Sequence, residues 1–145
     1  MLKGLFGKKR LKHPVDLGQL QTDFHSHLIP GIDDGVATMD ESLAVIRKFK
    51  EFGYRKVITT PHVMTDYFKN DSDIINQGAD QVRSALDAHN IDLVFEAAAE
   101  YYTDEHFESL IKSKDLLTLG DGYVLFELSF LMEPPNLSKI IFDLQ

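Results

Sequence analysis

Several side chains that could bind metal ions follow the apolar runs of this chain. His25 and His27 come first, in the stretch DFHSH over residues 23–27. Residues two apart in a strand point to the same side of it, so both imidazoles can reach one metal ion. A pair of this kind is a weak signal alone, because H-x-H also occurs incidentally.

Carboxylates and a third histidine follow further along the chain. Asp33 and Asp34 lie in a loop that ends with a glycine, a composition that also favours an ordinary turn. His62 follows Thr-Thr-Pro, and Glu100 follows three alanines. Taken singly, His62 can equally be a structural histidine, and Glu100 can be the first residue of a polar loop.

Glu127 is the residue least compatible with a purely structural role. It interrupts the apolar run 124–128, where a charge is costly unless it is paired or bound to a cation. His25, His62, Glu100 and Glu127 are separated by 37, 38 and 27 residues, about one βα unit per step. Active sites of parallel α/β folds lie at the carboxyl ends of the strands. The pattern therefore predicts a multinuclear metal site with nitrogen and oxygen ligands.

The elements that position these side chains alternate as in an α/β fold. We predict strands over residues 20–25, 55–60, 91–99 and 123–128. The first helix is predicted to begin at Thr38, which forms a capping box with Glu41, and to end at Gly53. Its predicted apolar stripe consists of Leu43, Ile46, Phe49 and Phe52. Further helices are predicted over residues 72–88, after a Thr103 cap, and over residues 137–144. The predicted apolar face of the helix over residues 72–88 consists of Ile75, Ala79, Val82 and Leu86.

Three histidines are weaker candidates for a functional site. His13 lies in the basic start of the chain, and His89 and His106, on predicted helices or helix ends, are predicted to be solvated.

Composition limits the classes of function. The net charge of −8 argues against broad nucleic-acid binding, which needs a basic surface to displace counterions. The 145 residues include no cysteine, which excludes disulfides and thiolate chemistry and is compatible with a cytoplasmic protein. No apolar run approaches the roughly 18 residues that a membrane span needs.

The chain divides into two predicted parts. Residues 1–19 form a basic extension, which is either solvated or weakly bound to anionic lipid. Residues 20–145 form one domain. Its apolar helical pattern continues to Gln145 without a stop signal, and four parallel strands leave an apolar edge. We therefore expect that something covers this edge or that a larger barrel has been cut.

Four stretches resemble, in order, motifs of the bacterial tyrosine phosphatases of capsule and exopolysaccharide operons, which belong to the PHP (polymerase and histidinol phosphatase) superfamily. These stretches are DFHSHLIPGIDDG, TTPH, AAEYY and VLFELSF. Histidinol phosphatases and polymerase-associated domains share the H-x-H pair but are less similar around residues 33–35 and 100–102. The resemblance implies a distorted (β/α)7 barrel, of which this chain would hold the first four βα units.

The resemblance also implies a site for two or three divalent metal ions. The implied ligands are His25 and His27 for the first metal, Asp34 and His62 for the second, Glu127 for the third, and Glu100 as a bridge between the first and third. Asp33 is the alternative to Asp34. Nitrogen and oxygen ligands suit Mn, Fe or Zn, of which we favour Mn. No catalytic residue is predicted beyond these ligands.

The implied reaction is metal-assisted hydrolysis of a phosphomonoester. The implied substrate is phosphotyrosine on the tail of a bacterial tyrosine autokinase that controls polysaccharide export. Family members carry further ligands in a second half, whereas this chain has no histidine after His106. We therefore expect incomplete metal shells and doubtful activity for the chain alone. The alternatives are another PHP phosphoesterase, such as a histidinol phosphatase, and a non-catalytic module that binds a partner or self-associates through the open sheet edge.

Overall fold

The computed structural model describes residues 15–145, in which short parallel strands alternate with helices. The strands are β1 (Thr22–Asp23), β2 (Lys56–Thr59), β3 (His62–Val63), β4 (Val94–Ala97), β5 (Glu100–Tyr102) and β6 (Leu125–Glu127). The helices are α1 (Met39–Glu51), α2 (Ser72–Ala88), α3 (Glu105–Ser113) and α4 (Leu137–Asp143), preceded by a 3-10 helix at Leu17–Leu20. The proposed lipid contact and His13 lie outside the described residues.

The strands form two three-stranded parallel sheets, in the orders β1-β2-β4 and β3-β5-β6. The second predicted strand ends before Pro61, as predicted, because proline has no N–H to continue the ladder after β2. The third predicted strand is shorter than residues 91–99, and the short strands β3 and β5, which follow β2 and β4, were not predicted. Hydrogen bonds connect the two sheets between these strands, from Ala98 N to Thr59 O at 2.9 Å and from Glu100 N to Pro61 O at 3.0 Å. The α/β fold class with parallel strands is confirmed.

The first and last predicted strands are shorter than expected. Asp16 caps the 3-10 helix by accepting a hydrogen bond from Gly18 N, and Gln21 then has a φ of 62°. This left-handed residue separates the 3-10 helix from β1, so extended pairing begins only at Thr22. Near the other end, Tyr123 pairs with Leu119 in an isolated antiparallel bridge and stays outside β6.

Local capping rules explain most helix boundaries. Glu41 N donates to the Thr38 side chain at 3.3 Å, and the Glu41 carboxylate accepts from Thr38 N at 3.2 Å, so the predicted capping box is present. The predicted Thr103 cap is wrong. Asp104 caps α3 by accepting from Phe107 N at 2.9 Å, and its negative charge also suits the positive end of the helix dipole.

The core lies between α1, α2 and the sheets. The α2 face that was predicted to be apolar is buried, at Ile75, Ala79, Val82 and Leu86. In α1 the predicted apolar stripe is buried at residues 43 and 46 but emerges at Phe52, which is 54% exposed. No helix within residues 15–145 combines the length and apolar character needed to cross a membrane.

Close packing against α2 holds the segment that follows His27. A Cβ atom on Gly78 would lie 2.2 Å from Cγ2 of Ile29, whose side chain is buried. Leu28 N donates to Thr59 Oγ1 at 2.9 Å, and Ser42 Oγ donates to Leu28 O at 2.7 Å. The loop that carries the predicted aspartates therefore begins from a fixed point.

The Gly78→Ala variant is expected to unfold more easily than the parent chain, by up to about 2 kcal/mol. Overpacking costs roughly 1–3 kcal/mol, and the higher helix propensity of alanine offsets about 1 kcal/mol of that cost. Urea unfolding followed by circular dichroism measures the difference. Gln77→Ala, an exposed change in the same helix, is the control with little expected effect, and a stabilised Gly78→Ala would contradict the packing argument.

Candidate metal centre

All six side chains predicted as metal ligands lie together, in segments that follow β1, β2 and β4 and at the end of β6. They form three overlapping groups, in each of which the possible ligand atoms lie within 4.8 Å of one another. The groups are His25–His27–Glu100, His27–Asp34–His62 and His62–Glu100–Glu127. Shared members link the groups, which is the arrangement that two or three neighbouring cations require.

Parallel strand register places these side chains next to one another. His62 of β3 is paired with Glu100 of β5, and Tyr102 of β5 is paired with Glu127 of β6. The imidazole rings of His27 and His62 have centroids 4.6 Å apart. The site therefore depends on pairing between segments that are distant in sequence.

The two histidines after β1 have the same pattern of contacts, although their ring planes are 75° apart. Nδ1 of His27 is 2.8 Å from Asp33 Oδ2, and Nδ1 of His25 is 2.7 Å from Thr60 Oγ1. Their Nε2 atoms lie 3.3 Å and 3.9 Å, respectively, from the two carboxylate oxygens of Glu100. Metal-binding histidines commonly have one nitrogen held by an outer partner while the other faces the metal. Both rings are therefore oriented as ligands for a cation beside Glu100.

Asp33 is the outer partner that connects the site. Its buried carboxylate accepts from His62 N at 3.1 Å and from Gly35 N at 3.0 Å, in addition to its contact with His27. A Cβ atom on Gly35 would lie 2.4 Å from His27 Cβ, so only glycine lets the loop approach this closely. Both carboxylate oxygens of Asp33 are occupied, and the geometry therefore favours Asp34 as the metal ligand.

The position of His62 is fixed by a hydrogen bond to its main-chain carbonyl and by a ring that stacks on its imidazole. The Asn70 amide donates to the carbonyl oxygens of His62 at 2.7 Å and Ile32 at 3.0 Å. Phe68 stacks on the imidazole with ring centroids 5.4 Å apart. The buried Nδ1 atom has no hydrogen-bond partner among residues 15–145. A buried polar atom without a partner is unusual, and a metal ion would supply one.

The carboxylates on the open side of the cluster are more exposed. The side chains of Asp34 and Glu127 are 66% and 40% exposed, and they lie 3.6 Å and 3.9 Å from opposite nitrogens of His62. The sequence suggested that Glu127 carries a costly charge in an apolar strand. Water relieves part of that cost, so Glu127 gives weaker support for a cation than its sequence neighbourhood suggested.

Hydrogen bonds and neighbouring charges in the cluster shift the pKa values of His27, Asp33 and Glu100. Hydrogen bonds to Asp33 and Glu100 raise the pKa of His27 to about 10. Burial alone would raise the pKa values of Asp33 and Glu100, but hydrogen bonds and nearby histidines lower both. Without a metal, the His27 ring is therefore protonated on both nitrogens, and positively charged, at neutral pH. That positive charge occupies a position that a cation can take.

The sequence did not identify two residues that support the cluster, and some other residues with functional side chains lie outside it. Thr60 and Asn70 hold ligand residues, but a threonine in a strand or an asparagine before a helix has no distinctive sequence signal. His89 and His106 are exposed, as predicted, and belong to none of the three groups. Tyr101 is a core residue, and its hydroxyl accepts from Leu117 N at 2.7 Å.

Comparison with known proteins gives consistent matches. Residues 21–145 match the family "Capsular polysaccharide synthesis, CpsB/CapC". The chain is 30% identical over 124 residues to the tyrosine-protein phosphatase YwqE of Bacillus subtilis, covering 85% of this chain and 49% of that protein. It is 35% identical over 109 residues to the tyrosine-protein phosphatase CpsB of Streptococcus pneumoniae, covering 74% and 44%, respectively.

The fold also matches a solved structure. A chain from the crystal structures of YwqE and CpsB, described as unique metal-dependent tyrosine phosphatases, superimposes with a TM-score of 0.78 at 30% identity. The match covers 86% of this chain and 51% of that one. The chain therefore spans about half the length of the curated relatives that it matches.

The Asp33→Asn variant is expected to bind Mn²⁺ about 10–100-fold more weakly, although all six ligand side chains remain. The amide keeps the shape of the carboxylate but loses the charge that orients His27 and keeps one of its protons on Nδ1. Isothermal titration calorimetry measures the affinity. Asp66→Asn removes the same charge at an exposed position outside the cluster, and equal affinities for the two variants would contradict this role of Asp33.

Metal binding is expected to strengthen as pH rises from 6 to 8 and to release about one proton. The raised pKa keeps His27 protonated in this range, so a metal ion must displace the proton on Nε2, whose competition weakens as pH rises. Calorimetry at pH 7 in buffers of different ionisation enthalpy gives the number of protons released. Binding that is independent of pH and releases no proton would exclude His27 as a ligand.

Proposed function

Because the chain belongs to the capsular polysaccharide synthesis family CpsB/CapC, we propose that residues 20–145 form a metal-dependent phosphoesterase domain that hydrolyses phosphotyrosine on a protein substrate. The observation that carries this proposal is the pair His25 and His27. Each has Nδ1 held by an outer partner and Nε2 directed at Glu100. The printed names of the matched relatives, tyrosine-protein phosphatases, supply the substrate class.

The proposed site holds two or three divalent cations, with Mn favoured over Fe and Zn. The proposed ligands are the six residues of the three overlapping groups: His25, His27, Asp34, His62, Glu100 and Glu127. Three imidazoles and three carboxylates suit these metals. When bound, such ions would activate water at neutral pH and stabilise negative charge on a phosphoryl group.

The protein residues have distinct proposed tasks. Asp33 fixes the tautomer and orientation of His27, and Thr60 fixes the orientation of His25. Glu100, with a nearly buried side chain, joins two of the three groups and balances positive charge there. The exposed carboxylates Asp34 and Glu127 mark the open side, from which a phosphate ester can approach. The chain has no cysteine, so hydrolysis would proceed without a phosphocysteine.

The proposal also covers the barrel architecture, the protein substrate and the cellular location. Consecutive parallel strand segments, joined through α1, α2 and α3, support the first four βα units of a distorted (β/α)7 barrel. The proposed substrate is the phosphotyrosine tail of a bacterial tyrosine autokinase, because the family is named for capsular polysaccharide synthesis. A cytoplasmic location, where such a tail would lie, stays a prediction.

One feature favours a second candidate function, that of an interaction module. Phe130, Leu131 and Met132 are 94%, 86% and 75% exposed, and they follow β6 at the edge of its sheet. Contiguous exposed apolar side chains are typical of protein-binding surfaces. Self-association or binding of a partner through this edge is therefore the alternative, with or without metal.

The sequence predicted doubtful activity for the chain alone, but all six proposed ligands lie together in the structure. The Mn²⁺-loaded chain is therefore expected to release phosphate from a phosphotyrosine peptide, and to do so faster than from histidinol phosphate. Glu100→Gln is expected to lower metal content and to reduce kcat/KM by at least about 100-fold, because one carboxylate serves two of the ligand groups. Elemental analysis and a phosphate-release assay measure the two effects. Glu96→Gln is the matched control, since Glu96 forms a surface ion pair with Lys56.

The results of these measurements distinguish among the candidate functions. Faster hydrolysis of histidinol phosphate would replace the tyrosine phosphatase with another phosphoesterase. Stoichiometric metal without hydrolysis of either compound would contradict the phosphatase proposal for this chain. Association that persists after chelation and in Glu100→Gln would favour the interaction module.

A further inference from the structure

A pocket of about 360 Å³ lies beside the candidate metal cluster, between the β3–α2 loop and the first turn of α3. Its lining consists of residues 64–65, residues 68–71 and His106. The volume falls within the roughly 300–1,000 Å³ of typical small-ligand pockets. Neither the metal cluster nor the proposed hydrolysis uses this space.

The loop that forms the pocket is held in place by main-chain hydrogen bonds. Met64 and Phe68 exchange two of them, each 2.9 Å long, across a tight turn. Thr65 N donates to Asp104 Oδ2 at 3.1 Å, which attaches the turn to the N-terminus of α3. The pocket is therefore preformed, and a ligand would not have to order the loop in order to bind.

Two residues connect the pocket to the metal cluster. Phe68 lines the pocket and stacks on the imidazole of His62, with ring planes 11° apart. Asn70, also in the lining, is 6% exposed and donates to the main-chain carbonyl of His62. The pocket and the cluster thus share a wall formed by Phe68 and Asn70.

The lining chemistry favours an apolar ligand group. Met64 and Phe68 supply an adaptable thioether and an aromatic ring, the kind of surface that accepts varied apolar side chains. The charged side chains Lys69 and Asp71 are exposed, and Asp71 accepts from Ile74 N at 2.8 Å as the cap of α2. No charged side chain of the lining is buried, so the pocket does not require a charged ligand group.

We propose that this pocket binds the apolar side chain of a residue next to the phosphotyrosine in the peptide substrate, and that it determines which phosphotyrosines are selected. The proposal rests on the proposed phosphatase function for the identity of the peptide. It adds a specificity site to that function. The metal cluster would bind the phosphate, and the pocket, on the other side of Phe68, would bind the side chain of the neighbouring residue.

Binding of non-hydrolysable peptides tests the pocket without any catalytic readout. Five-residue peptides carry a phosphonate analogue of phosphotyrosine, flanked by alanine on both sides or by leucine on one side. Fluorescence anisotropy with the Mn²⁺-loaded chain measures their affinities. The better of the two leucine peptides is expected to bind about tenfold more tightly than the alanine peptide, because one leucine side chain is largely buried.

Two variants test whether the preference for leucine peptides depends on the pocket. Thr65→Trp fills the space while keeping the main-chain hydrogen bond to Asp104, and it is expected to reduce the leucine preference to about one. Tyr67→Trp is the matched control, since Tyr67 is 74% exposed on the same turn and lies outside the lining. If Thr65→Trp does not fold, Met64→Ala serves instead. It enlarges the pocket and is expected to shift the preference from leucine to phenylalanine.

Equal affinities of the alanine and leucine peptides, within twofold, would overturn the proposal. The same holds if Thr65→Trp keeps the tenfold preference, if Met64→Ala leaves the preference unchanged, or if no peptide binds. A leucine preference that depends on the pocket, in a chain that releases no phosphate from phosphotyrosine peptide, would support the pocket and reject the proposed hydrolysis. The two proposals can therefore fail separately.

Discussion

The candidate site depends on one buried carboxylate. Asp33 accepts hydrogen bonds from the His27 ring and from the main-chain N–H groups of Gly35 and His62, and its side chain has no exposure to solvent. These contacts join the loop after β1 to the start of β3. A buried charge is tolerated only when it is well paired, and here the pairing also fixes the orientation of a ligand. The anchor thus fixes His27 and His62 relative to each other, while the register of β3, β5 and β6 places Glu100 and Glu127 beside them.

The surrounding fold supplies rigidity on both sides of that anchor. Gly78 lets α2 contact Ile29 directly, and Asn70 links the main chain of His62 to that of Ile32. Ligand residues of a metal site need supporting contacts of this kind, because small displacements weaken coordination. The same supports explain why a preformed pocket lies against the cluster: the loop that holds His62 through Phe68 also forms the pocket wall. Metal binding and peptide selection would therefore share one scaffold.

Local signals in the sequence were sufficient for some elements and insufficient for others. The capping box at Thr38 and the apolar face of α2 involve residues three or four apart, so they were predicted correctly. The family resemblance is confirmed, because residues 21–145 match the capsular polysaccharide synthesis family CpsB/CapC. The short strands β3 and β5 were missed because they depend on pairing partners distant in sequence. The roles of Asp33 and Asp34 could not be separated, since adjacent residues of one type differ only in their tertiary contacts.

The hydrogen bond from His62 N to Asp33 has a consequence for how this scaffold can change. It uses the main chain of residue 62, so the anchor does not depend on which side chain that residue carries. Coordination and loop architecture are thus separable at this position. An exchange of the imidazole for a carboxylate or an amide would alter the donor atoms offered to a cation while the loop keeps its attachment. If His62 binds a metal as proposed, one substitution at this position would change the donor set while the backbone keeps its attachment.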